Sequence, residues 1–224
     1  MDYMLKKRLL SLLYPVRCPI CSKIIFPHED FCSECRENLP KYCGDFNIKG
    51  AEAFVAPFEY NDKIAPAILL MKNGTRGNAP YALGLATAEC IENHGIHRQS
   101  DIIIPTPMHS ADKRKRGFNQ SELIAKEVGR ILNLKVCTKC VEKVRITEPQ
   151  KRLTKKERKN NLKNAFAVKA PELIREKRVI LIDDVCTTGS TLAELTKLLR
   201  QNGAEAVYCV CCCKTPIKKG DKDD

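Results

Sequence analysis

VILIDDVCTTGST, residues 179–191, decides how this chain folds and where its ligand sits. VILI is a short continuous apolar run, the pattern of a strand buried on both faces. Asp183 and Asp184 follow at the strand's end, and CTTGST turns tightly into the next helix. Unsatisfied N–H groups and the helix dipole at such a turn favour an anion. Gly189 permits positive φ and close backbone approach. Thr187, Thr188, Ser190 and Thr191 add hydroxyl donors without bulk. The loop has no lysine and no GxxxxGK[ST] pattern, which excludes an NTPase P-loop. Two carboxylates repel phosphate and suit neutral hydroxyls or a hydrated divalent cation. A phosphorylated sugar with free hydroxyls satisfies both halves. A capped strand–turn–helix accounts for one Asp and one Thr, but not for two carboxylates with six small residues.

On either side of this stretch, apolar strands alternate with amphipathic helices. TLAELTKLLRQNG (191–203) predicts a helix with Leu192, Leu195, Leu198 and Leu199 inward and Gly203 as its stop. AVYCVCCC (206–213) predicts a strand in which Cys209, Cys211, Cys212 and Cys213 pack as small hydrophobes. DIIIPTP (101–107) predicts a buried strand ended by prolines, and Asn119, Gln120 and Ser121 can start a helix whose inner face carries Leu123, Ile124, Val128, Ile131 and Leu132. Upstream, AEAFVAPFEY (51–60) reads as a strand, IAPAILLMK (64–72) as a short helix and YALGLATAECIENHG (81–95) as a helix. The expected architecture is α/β with a mostly parallel sheet, its ligand at the carboxyl ends of the strands.

Residues 17–43 hold too little apolar material for a core but carry Cys18-x₂-Cys21 and Cys32-x₂-Cys35. Two such knuckles close a Cys₄ zinc site, which supplies the missing folding energy. His28 and Cys43 are further candidate ligands, and the four-cysteine set is the simplest. Cys137 and Cys140 form a lone CxxC, read as structural. With thirteen cysteines, no cleavage site after LLSLLYPV and no apolar run near a membrane-spanning length, a reducing cytoplasm is expected, with cysteines as thiols or metal ligands. Leu5, Leu9, Leu12 and Leu13 fit one face of a helix over residues 1–16. The net charge of +12 lies entirely in residues 111–170, with 18 Lys/Arg against 6 Asp/Glu, which suits an anionic partner or a solvated face. Basic residues 143–164 predict a long loop or exposed hairpin.

VILIDDVCTTGST resembles the PRPP-binding motif of type I phosphoribosyltransferases. PTPMHSADKRKRGFNQSELIA (105–125), TEPQKRLTKKERKNNLKNAF (147–166), LLMKNGTRG (69–77) and LLYPVRCPIC resemble the ComF family of competence-associated members of that fold. The resemblance implies a type I phosphoribosyltransferase-like, mostly parallel sheet flanked by helices at 49–216, a helix and zinc ribbon at 1–48, and a polar tail at 217–224. It assigns Asp183 and Asp184 to the ribose hydroxyls and the catalytic centre, and Cys186, Thr187, Thr188, Gly189, Ser190 and Thr191 to the 5′-phosphate. Thr106, Lys72 and Arg116 would receive pyrophosphate with Mg²⁺, and Arg114 and Lys115 could add charge. Some members of the fold place an aspartate base where this chain has Thr187, a poor base at neutral pH.

Two functions follow. One is phosphoribosyl transfer from PRPP to an acceptor. The other is a non-catalytic accessory in DNA uptake that binds single-stranded DNA or a helicase through the ribbon and basic segment.

Overall fold

The computed structural model describes residues 3–72, 77–145 and 164–216. Residues 73–76 of LLMKNGTRG, residues 146–163 of the basic segment and the tail from 217 lie outside them. No helix among the described residues is long and apolar enough to cross a membrane.

The sheet is parallel and runs β1 (Ala53–Val55), β8 (Ala206–Lys214), β7 (Arg178–Cys186), β3 (Ile102–Pro105), β4 (Lys135–Val136). β2 (Phe58–Glu59) also pairs with β8. Residues 51–60, expected as one strand, are broken at Ala56-Pro57, because proline has no N–H for the ladder. The register is unchanged across the break: Val55 faces Val210 and Phe58 faces Cys213.

Period-two alternation sends neighbouring side chains into two different cores. Ile180, Ile182, Tyr208, Val210 and Cys212 face one layer, with Ile68 of α3 (Ala65–Lys72), Leu83 of α4 (Ala79–Asn93) and Ile124 of α6 (Gln120–Leu132). Val179, Leu181, Val207, Cys209 and Cys211 face the other, with Leu192, Leu195 and Leu199 of α7 (Ser190–Gln201). A Cβ on Gly84 would lie 2.5 Å from Cβ of Glu127, so the close approach of α4 and α6 requires glycine there. The buried thiols behave as expected. Burial pushes those of Cys209 and Cys212 up to about 12, and Thr196 and Thr87 hydroxyls meet their sulfurs at 3.3 and 3.2 Å.

Three further expectations need correction. β7 does not end at the carboxylates but runs on to Cys186, still in register with Lys214. The amino-terminal helix is shorter, α1 (Tyr3–Ser11), and Leu5, Leu9, Leu12 and Leu13 are exposed rather than packed. Cys137 and Cys140 are not free thiols but form a disulfide across the turn between β4 and β5 (Val141–Lys143), with Cα atoms 5.7 Å apart, a normal bridging distance. β5 pairs antiparallel with β6 (Phe166–Val168), so the ends of the basic segment form a hairpin stem.

The ribbon is built from two thiol knuckles. Arg17 and Ile24 bridge antiparallel, and the amide of Ser22 (φ +64°) donates to Cys18 O, which closes the first turn. Cys32 caps α2 (Ser33–Glu37) and so carries the second pair. The four Sγ atoms lie within 4.8 Å of one another, and Cys21 and Cys32 are 3.5 Å apart. A tetrahedron with Zn–S near 2.3 Å has edges of about 3.8 Å, so the thiols fit zinc. His28 and Cys43 are not in this cluster. The ribbon docks on the sheet domain: Phe31 meets Phe58 edge-on at 6.2 Å, and Asn78 Nδ2 donates to the carbonyls of Glu29 and Asp30 at 3.1 and 3.0 Å.

Metal analysis of the purified full chain should find zinc held by this set. Cys32→Ser should lose it on dialysis and melt several degrees lower, since about 1 kcal/mol shifts the midpoint by roughly 2–4 °C in a chain of this size. Retained zinc with an unchanged melt would rule the assignment out.

Candidate active site at the carboxyl ends of β3 and β7

Parallel pairing sets Pro105 beside Ile182. Thr106, just past the end of β3, therefore lies beside Asp183, which is still within β7. Thr106 Oγ1 donates to Asp183 Oδ1 at 2.7 Å, Ser121 Oγ donates to the same oxygen at 2.9 Å, and the amide of Asp184 does so at 3.0 Å. Asn119 holds the arrangement from outside. Its Oδ1 accepts from the amide of Ser121, which caps α6, and its Nδ2 donates to Thr106 O at 2.8 Å. Asp183 Oδ1 is thus fully used, while Oδ2 accepts nothing from the described residues.

Removal from water, then the charge of Asp184, raises the Asp183 carboxyl to about 6 despite these three donors. Ionised, it is a partly buried anion at the cavity wall, suited to neutral hydroxyls or a cation.

Asp183 and Asp184 line a cavity of about 510 Å³ together with Lys72, Thr106, Arg116, Lys143 and Thr191. Lys72 Nζ lies 3.5 Å from Asp184 Oδ2. Arg116 ends the exposed helix α5 (Ser110–Arg116) at the rim, with Arg114 and Lys115 on the same exposed helix. Burial lowers the Lys143 pKa, and Asp112 and Asp183 oppose that. Gln120, buried at the cavity wall, has an Nε2 with no partner among the described residues. The amide of Thr106 donates to Ile182 O, so the ladder and Asp183 use both polar hydrogens of Thr106.

A smaller cavity adjoins it, lined by Asp183, Cys186, Thr187, Gly189, Ser190 and Thr191. Gly189 sits at φ +74° and opens α7. A Cβ there would lie 2.4 Å from Ile48 Cδ1, so both conformation and packing demand glycine. The hydroxyls of Thr188 and Ser190 meet at 2.9 Å. The Cys186 thiol is buried in the core beneath, so only its backbone serves the turn. An open groove of about 750 Å³ on the other side of Gly189, lined by Ile48, Lys49, Lys197 and Arg200, lacks paired carboxylates.

The structure therefore gathers Asp183, Asp184, Lys72, Thr106, Arg116 and Thr191 in one cavity, with Thr187, Gly189 and Ser190 beside it. Sequence reasoning missed Ser121 and Lys143 as site residues. Ser121 was visible only as a helix starter, and Lys143 was one lysine in a basic run.

Comparison with known proteins follows this division. The phosphoribosyl transferase domain family matches residues 119–224 and the double zinc ribbon domain family residues 9–47. The chain is 32% identical over 209 residues to DNA utilization protein YhgH of Escherichia coli (strain K12), covering 88% of this chain and 90% of that protein. It is 30% identical over 200 residues to Competence protein F of Haemophilus influenzae, covering 85% and 86%. A shorter stretch of 44 residues is 48% identical to Adenine phosphoribosyltransferase 5 of Arabidopsis thaliana, covering 20% of this chain and 23% of that one. Likeness of this extent to YhgH and Competence protein F places the chain in the ComF family, with a phosphoribosyl transferase domain behind an amino-terminal zinc ribbon.

Proposed function

We propose that the chain binds PRPP and transfers its phosphoribosyl group to an acceptor, releasing pyrophosphate. The observation that carries this is the Asp183–Asp184 pair, one carboxylate oxygen tied down by three donors and the other open, beside a glycine turn at a helix start. Asp183 and Asp184 take the ribose hydroxyls, and the 187–191 turn takes the 5′-phosphate. Lys72, Arg116 and Lys143 line the rest of the cavity, where pyrophosphate would lie. Paired carboxylates are hard oxygen donors that fit Mg²⁺, which would neutralise charge on the leaving group. The C1–O bond to pyrophosphate breaks with its electron pair leaving on oxygen. The acceptor's lone pair then bonds to C1, and its proton passes to solvent, because Thr187 is no base. The cationic wall stabilises the departing charge. Incubating the protein with PRPP, Mg²⁺ and a metabolite extract should release pyrophosphate. Asp183→Asn with Asp184→Asn should cut that release at least a hundredfold. Equal release by the double variant would end the proposal.

Site chemistry and stability pull in opposite directions at Asp183. Its carboxyl is raised in the fold, so it stabilises the folded chain most below about pH 4, where both states are protonated. That contribution is lost as pH climbs through about 6. In Mg²⁺-free buffer, Asp183→Asn should therefore match the parent near pH 4 and exceed it by roughly 1–3 kcal/mol at pH 7.5. Urea melts at both pH values measure this; an Asn variant less stable at the higher pH would contradict it.

A role in handling DNA is the second part of the proposal. Its support is the names of the relatives and the exposed Arg114, Lys115 and Arg116 of α5, which form no ion pair with the described residues. Binding of single-stranded DNA should weaken steeply with salt, and Arg114→Gln with Lys115→Gln should lower the log–log slope by about 1.4. An unchanged slope would remove α5 from the interface.

A further inference from the structure

Lys214, the last residue of β8, is only 1% exposed, yet it forms no ion pair with the described residues. Parallel register brings it opposite Cys186 of β7 and Glu59 of β2. Its Nζ donates to Thr187 O at 2.8 Å and to Thr215 O at 2.7 Å, and stands 4.3 Å from the ring centroid of Phe46. Burial lowers its pKa, while Cys186, Cys211 and Glu59 act the other way. A buried cation whose partners are neutral carbonyls and an aromatic face lacks a counter-ion.

Thr187 belongs to the turn that lines the smaller cavity. A trans peptide is planar, with C=O and N–H on opposite edges. By holding Thr187 O, Lys214 turns the N–H of Thr188 to the opposite side of the turn. The same lysine supplies positive charge one peptide away from the cavity wall. Thr215 secures the root of the turn, its amide donating to Cys186 O at 2.9 Å. Phe46 covers the ammonium and also packs within 3.1 Å of where a Cβ on Gly189 would lie.

Resting on the PRPP reading above, we infer that Lys214 is a positioning residue for the phosphate of a 5-phosphorylated pentose: it sets the 187–188 peptide and provides the charge that favours a bound dianion. It touches no reacting atom. The anion it awaits is the phosphate monoester on the far side of the turn.

The test uses full-length, zinc-loaded protein with Lys214→Met and Lys214→Gln; the glutamine can keep the bond to Thr187 O without the charge. Titration with ribose 5-phosphate should show roughly tenfold weaker binding in both variants. Mg²⁺-pyrophosphate, which occupies the other end of the site, should bind as in the parent. Phosphorus NMR adds a readout that a purely structural role would not move. A free phosphate monoester takes up its second proton near pH ~6. The parent should hold bound ribose 5-phosphate dianionic to lower pH, and Lys214→Gln should move that midpoint back up. Parent-like binding of ribose 5-phosphate by Lys214→Gln overturns the charge role, as does equal loss for both ligands. Should neither variant fold, Phe46→Leu keeps the ammonium but thins its cover. A several-fold loss for ribose 5-phosphate alone then supports the inference, and no loss overturns it. Failure of the parent itself to bind either ligand removes the PRPP reading, and the inference with it.

Discussion

Both faces of β7 are covered, and each residue from Val179 to Ile182 is completely buried between two layers of helices. That constraint orders the rest of the molecule. A strand with no solvent face has nowhere to place a polar side chain until it reaches the edge of its cover. β3 and β8 flank it, so polar residues of adjacent strands gather at that edge: Thr106 beside Asp183 on one side and, three positions further along, the buried Lys214 beside Cys186 on the other. The site is where the sheet's burial ends.

Charge at that edge is arranged asymmetrically. Asp183 is surrounded by hydroxyls and an amide, which soften but do not cancel the cost of removing it from water. Lys214 is surrounded by carbonyls. The 187–191 turn touches both: Asp183 lines a cavity with it, and Lys214 holds the carbonyl of Thr187. An internal ion pair would have relieved both groups and left nothing for a ligand to complete. The separated charges instead stay available to a ligand, as the proposed PRPP complex requires.

Much of this was legible in the sequence for local reasons. The VILI run, the DIIIP run and the cysteine-rich strand announce themselves by composition, and Gly189 by its place before a helix. The two CxxC pairs carry their chemistry in their spacing. What escaped notice depends on register, which a single chain does not display. Ser121 looks like a capping residue until β3 and β7 are paired, and then its hydroxyl falls on Asp183. Lys214 looks like the residue just past a strand at 206–213 until β8 is aligned with β7. The end of β7 depends on register too: two carboxylates suggest a strand's end, but the ladder continues through them because β8 is still there to pair with. The leucines of α1 fit a helical face, but periodicity does not say whether anything covers it.

The four cysteines of β8 have a consequence for how the chain survives unfolding. In the native protein they are sealed between layers, and burial raises their thiol pKa values, so oxidants and alkylating agents find no thiolate there. Unfolding releases all of them at once, three in consecutive positions, next to the thiols of a ribbon that has lost its metal. Bridges that mispair while the chain stays unfolded then block the parallel sheet, which must close long loops before its strands pair. Heat or denaturant in air would therefore act as a one-way door for this molecule, and its working lifetime would be set by the rate at which β8 is first exposed rather than by its equilibrium stability.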